Sequence, residues 1–218
     1  MTRSPMLYAR TAGALYLVTH VTAVGAAAAY TAPGTVRLGV ALEFLLAVGC
    51  LGTGLLLWRL LQRHGPVRAA AFGTMPAVEA AVILAASVPM LALAIGGSRG
   101  TPLGDALTQI HAAGFLIGQG LIISVNTLVL GWLLLDARVV PRALAVLGLV
   151  GGVVVLTGNA LQLFGVIPLA GAIAGITAVP IFAFEIWFAL HLLIRGLHSA
   201  AGPDAPAAAE RMSPATSA

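Results

Sequence analysis

The chain has 218 residues, of which 60% are hydrophobic and 8% charged, with a formal net charge of +4 and one cysteine. Soluble domains carry nearer a quarter charged residues, so this composition excludes an ordinary water-soluble globule. A lone cysteine excludes an internal disulfide and a thiolate metal cluster.

Apolar stretches recur at about 10–30, 38–61, 69–95, 113–135, 143–167 and 170–196. Each is long enough to cross about 30 Å of hydrocarbon at a rise of about 1.5 Å per residue. The expected fold class is therefore all-α: a polytopic bundle of six transmembrane helices with short loops. Residues 1–9 are expected as a cytoplasmic N-terminus, 10–197 as the membrane domain and 198–218 as a disordered cytoplasmic tail. That tail is rich in Ala, Pro and Ser and has no periodic apolar face.

In chain order, the first stretch begins with Arg3 and Arg10 and resembles a signal peptide, but Thr11–Tyr30 is longer than a signal core and reads as a retained helix. It carries His20 about midway. The second holds Glu43 nearer its outer end and Cys50 one heptad on. The third holds Pro76 and Glu79. The connection over 96–112 is expected to contain a separate short helix around "GDALTQIH", with Asp105 and Gln109 on one side. The fourth stretch has Gln119 and Asn126 on one stripe, and the fifth has Asn159 and Gln162 on one face. The sixth holds Pro180, Glu185 and, further in, His191.

All 11 basic residues are arginine. This bias, with abundant Ala and Gly, suits a GC-rich bacterial genome and gives no reason to expect nucleic acid. With a cytoplasmic N-terminus, Arg3, Arg10, Arg59, Arg63, Arg68, Arg138, Arg142, Arg195 and Arg211 fall inside, and only Arg37 and Arg99 fall outside. That asymmetry is the positive-inside pattern of a multi-pass protein of the bacterial cytoplasmic membrane. Three GxxxG pairs (Gly114 and Gly118, Gly148 and Gly152, Gly171 and Gly175) suggest tight helix packing.

Lipid cannot solvate the polar residues inside these spans. A charge at mid-bilayer costs at least about 2.5–3.5 kcal/mol, so they should turn inward. Burial favours the neutral carboxyl form, which can donate a hydrogen bond or a proton. Glu79 and Glu185 are the candidate catalytic residues, because interhelical glue rarely needs an acid. His20, Glu43, Asn126, Asn159 and Gln162 are candidates for ligand binding. Against that stands a plainer role: Asn and Gln often only hold helices together, at about 0.6–2 kcal/mol each. A Tyr16–His20 pair would satisfy the histidine, and Cys50 reads as structural. Pro76 and Pro180 each precede an inward acid and should bend their helices to open a cavity.

The segments "RTAGALYLV", "ALEFLLAVG", "VEAAVIL", "VVPRALAVLGLVG" and "PIFAFEIWFALHLLIRGL", in that order and spacing, resemble the domain-of-unknown-function 4386 family over about residues 8–197. The resemblance implies a bacterial integral membrane protein and supplies no reaction. That family often has an arginine three residues before the third-span acid. Here the position is Pro76, which leaves Glu79 without an adjacent cation.

No phosphate-binding loop, G-x-S-x-G or HExxH is present, and the five histidines are scattered, so no cofactor and no metal is expected. Asp105 and His111 fall together at the outer face, but no third ligand accompanies them. The expected partners are the lipid bilayer and a lipid or small apolar ligand. The leading functional expectation is an interaction, structural or small-ligand-binding membrane protein with a polar core. The alternatives are a membrane-embedded enzyme on a lipid or isoprenoid, with a buried Glu as general acid, and a small proton-coupled carrier.

Overall fold

A long apolar run in lipid has to satisfy its backbone donors and acceptors within itself, and the helix does this. The computed structural model describes residues 5–197 and is built from helices: α1 (Pro5–Thr31), α2 (Val36–Leu61), α3 (Pro66–Gly96), α4 (Pro102–Phe115), a π-helical segment (Leu116–Ile122), α5 (Ile123–Ala137), α6 (Arg142–Leu163) and α7 (Ala172–Ile194). Six units are long and apolar enough to cross a membrane. The expected tail over 198–218 lies outside the described residues.

The short helix expected around "GDALTQIH" is present as α4, and it runs on into the fourth span without a break. α4, the π-helical segment and α5 form one unit of 36 residues, Pro102–Ala137. Thr101 caps its start, accepting from the Gly104 amide at 3.2 Å, with Pro102 in the first turn, where its missing N–H costs nothing. No proline interrupts the run between Leu103 and Ala137. The expected fifth span also shortens: α6 stops at Leu163, and residues 164–171 form a connection in which Gly165 (φ 69°) and Gly171 (φ 123°) take left-handed conformations.

The spans form a ring. Each packs on its neighbours in sequence, and α1 closes the ring against α7. One end, where Pro5 and Leu197 lie, is filled by a dense apolar plug. Leu57 and Leu61 of α2, Phe72 of α3, Leu130 and Leu134 of α5, and Phe188 of α7 all have at most 1% of their surface exposed. We call this the closed end. Arginines sit around it: Arg10 donates to the Leu193 carbonyl at the end of α7 (3.2 Å), and Arg68 pairs with Asp136 while stacking 4.9 Å from the Trp132 ring. At the far end Arg99 donates to the Tyr30 and Ala32 carbonyls at the end of α1. Both contacts place a cation at the negative end of a helix.

Lipid tails are as apolar as leucine, so helix contacts in a membrane rest on close approach. A Cβ at Gly13 would lie 2.6 Å from the Ala189 carbonyl oxygen, one at Gly114 2.5 Å from Ala86 Cβ, and one at Gly148 2.8 Å from Phe184. The third GxxxG pair behaves otherwise. Nothing lies within 4 Å of a Cβ at Gly171 or Gly175, so that pair packs against nothing. α7 is thus buried only beyond Pro180, where its buried residues run from Ile181 to Leu192; before it, Thr177 still meets α6 at Gly158, while Gly171 and Gly175 face open space.

Two substitutions should therefore have opposite signs. Gly13→Ala forces α1 away from α7 and should cost about 1–3 kcal/mol. Gly175→Ala meets no neighbour and should gain about 0.5–1 kcal/mol from helix propensity. Reversible unfolding in nanodiscs reads both, and equal effects would contradict this division of α7.

Candidate functional site

The three acids of the membrane spans all point inward: Glu43 and Glu79 are 3% exposed and Glu185 is 7% exposed. They surround two adjoining chambers. The first, about 320 Å³, lies at mid-depth and is lined by His20, Cys50, Glu79, Gln119, Asn126 and Glu185, among mostly apolar neighbours. The second, about 390 Å³, lies toward the far end and is lined by Tyr30, Glu43, His111, Gln119, Asn159 and Gln162. Gln119, Phe115 and Ala178 belong to both walls. Each volume falls near the lower end of the range for small-molecule sites.

Glu185 meets His20 across the α1–α7 seam, with Nε2 3.1 Å from Oε2. The other ring nitrogen, Nδ1, lies 2.7 Å from the Tyr16 carbonyl oxygen. A carbonyl only accepts, so Nδ1 carries a proton. Neutral His20 therefore turns a lone pair toward Glu185, and the carboxyl donates to it. The alternative is an imidazolium–carboxylate pair, with the same single proton on the other atom. The expected Tyr16–His20 pairing is corrected in kind: the backbone of Tyr16 is the partner, and its ring packs edge-on against Phe188 at 5.9 Å. Phe182 covers the other side of His20, 4.5 Å between ring centroids.

Glu79 receives two donors on Oε1. One is the Gln119 amide and the other the Cys50 thiol, 3.8 Å away. Oε2 of Glu79 and Oε1 of Glu185 have no hydrogen-bond partner among the described residues and are left to the chamber. Gln119 reaches Glu79 from the π-helical segment, whose widened turn recurs in proteins at functional sites. Gly118 makes the approach possible, since a Cβ there would lie 3.1 Å from Val82.

Asn126 also lines the mid-depth chamber and is 6% exposed, yet its Oδ1 has no hydrogen-bond partner among the described residues. Asn159 is anchored: its amide donates to Ser124 Oγ at 3.1 Å, and Ser124 donates to the Gly120 carbonyl at 2.6 Å. Gln162 lines the far chamber beside it. His191 is buried and lines neither chamber.

Glu43 is held by two residues that the sequence reading did not place with it. Tyr30 donates to its Oε2 at 2.6 Å, and His111 Nε2 lies 2.7 Å from Oε1, with the two rings edge-on at 4.8 Å. His111 thus turns to Glu43, not to Asp105. Only the position of all three near the far ends of their helices could have hinted at this cluster. Among the described residues, no three His, Cys, Asp or Glu side chains come together as metal ligands.

The walls thus offer carboxyls, amides, two imidazoles and no arginine. They can exchange hydrogen bonds and protons with a bound molecule, but they hold no guanidinium for a phosphate or a carboxylate. Neither the curated proteins nor the solved structures contain a match to the chain. The family model described as "Domain of unknown function (DUF4386)" matches residues 11–196, so the chain belongs to that family of undefined activity.

Proposed function

We propose that this membrane protein binds a small, mostly apolar molecule in the mid-depth chamber, through one or two hydrogen-bonding groups. The observation that carries this reading is Asn126. A buried acceptor without a partner costs about 1–3 kcal/mol, and a leucine of similar volume would avoid that cost. A residue whose only evident effect on the free protein is a loss of stability is best explained by a ligand. Oδ1 itself is sealed from the chamber that the residue lines, and a turn of the terminal amide about its last torsion brings it to a bound molecule. The carboxyl oxygens left free on Glu79 and Glu185 support the same reading, because helix glue alone would use them.

Chemistry on the bound molecule is the second reading. The observation favouring it is the His20 tautomer, which leaves one mobile proton between Nε2 and Glu185, in a chamber that also holds Glu79. A carrier has less support, since the plug would have to open. The Arg-only cationic residues and their clustering at the closed end support a bacterial cytoplasmic membrane with that end in the cytoplasm.

Asn126→Leu separates ligand binding from architecture. It should raise stability by about 1–3 kcal/mol, because the unpaired acceptor is gone. It should also abolish retention of whatever small molecule the purified protein carries, read by organic extraction and mass spectrometry. A variant that is less stable and retains the same molecule at the same level would overturn the proposal.

Glu185→Gln should fold, because the amide can still donate to the His20 lone pair, and its stability should stay within about 1 kcal/mol of the parent. Glu185→Leu leaves His20 unpartnered at depth and should cost about 1–3 kcal/mol. Thermal unfolding compares the two. If binding survives in Glu185→Gln while turnover of the extracted molecule stops, the second reading gains; if both survive, Glu185 acts only through packing.

A further inference from the structure

Building on the proposed binding site, we infer that its ligand is an uncharged long-chain alcohol of the bilayer, which enters sideways between the far halves of α1 and α7 and leaves its tail on α7. The seam between these helices is closed over only half its length. Gly13 against Ala189, Tyr16 against Phe188 and His20 against Phe182 hold the half nearer the plug. Beyond His20 the facing positions are small: Ala23 and Ala27 of α1 and Ala174 and Ala178 of α7 line the chambers, and none of them is buried. No residue of α7 before Ile181 is buried at all.

A shallow, open apolar groove lined by α7 alone runs along its outer face over Gly175, Val179, Phe182, Ile186, Trp187 and Leu190. It meets the mid-depth chamber at Ala178 and Phe182, which belong to both. A chain lying in this groove therefore has its head at the chamber mouth. The chamber's chemistry then selects the head. A carboxylate or a phosphate would be stripped of water in this mostly apolar space and find no arginine to pair with. An ammonium would lose far more solvation than a hydroxyl in so apolar a space. A hydroxyl donates one hydrogen bond and accepts others, and so can serve the free carboxyl oxygens and the Asn126 amide together.

The test uses the full chain in phosphatidylcholine nanodiscs with three photoreactive diazirine probes: hexadecanol labelled mid-chain, hexadecanoic acid labelled alike, and a labelled butanol. Hexadecanol should label peptides of the α7 groove and the far half of α1, about tenfold above the acid, a preference worth about 1.4 kcal/mol. Gly175→Phe, where the side chain starts in open space, and Ala178→Phe should each cut that labelling about tenfold, while Val150→Phe on the exposed face of α6 should not change it. Butanol should still label the Asn126 peptide in Gly175→Phe and Val150→Phe, neither of which lines the chambers. Hexadecanol labelling that is uniform around the ring, equal to that of the acid, or indifferent to both blocking variants would overturn this inference while butanol labelling upholds the binding site. Failure of butanol to label the Asn126 peptide in the unaltered protein would overturn the binding site itself, and the inference with it.

Discussion

The bilayer offers no hydrogen bonds, and this constraint governs every polar side chain within the spans. Each must find a partner on another helix or turn toward a space that water or a ligand can fill. Both oxygens of Glu43 are met, by Tyr30 and His111, whereas Glu79 is held through one oxygen by Gln119 and Cys50 and Glu185 through one by His20, their other oxygens being left to the chamber. These contacts tie α1 to α2, α2 to α4, α2 and the π-helical segment to α3, and α1 to α7. They are spaced around the ring and specify which helix faces which, a task that apolar contacts between leucine-rich surfaces perform poorly in lipid.

The same constraint explains why the interior is unevenly packed. At the closed end the helices meet through large apolar side chains and glycine-mediated approaches. Toward the far end the facing residues are alanines and amides, too small or too polar to interdigitate, and the chambers remain. Size is the deciding quantity. A space of about 320 Å³ would take about ten water molecules at their liquid volume of about 30 Å³ each, or one small organic group.

The span count and the inward turn of the acids were legible in the sequence because both follow from length and from the cost of charge in lipid. Partner identity was not. Glu43 and His111 are 68 residues apart and Gln119 and Glu79 are 40 apart, and no helical period relates positions on different helices. The helix near "GDALTQIH" was legible, but its continuity with the fourth span was not, because a glycine-containing segment reads like a break. In the structure, Gly114 and Gly118 serve the close approach of α3, and the helix continues through a π turn. The third GxxxG pair misled for the converse reason. Two glycines four apart permit contact, but whether a neighbour arrives is decided elsewhere in the ring.

Pro180 connects these observations. It removes the amide that would bond to the Ile176 carbonyl and weakens α7 at that turn. α6 holds α7 on both sides of it: a Cβ at Gly151 would lie 2.9 Å from the Ile181 nitrogen, and one at Gly158 would lie 2.6 Å from Thr177 Oγ1. The side of α7 that faces α1 is divided instead. Beyond the proline Glu185 meets His20 at 3.1 Å, and before it the small Ala174 and Ala178 line the chambers. A helix arranged in this way fixes its acid against α1 and leaves its access side lined by small residues, which is what a buried site open to the bilayer requires.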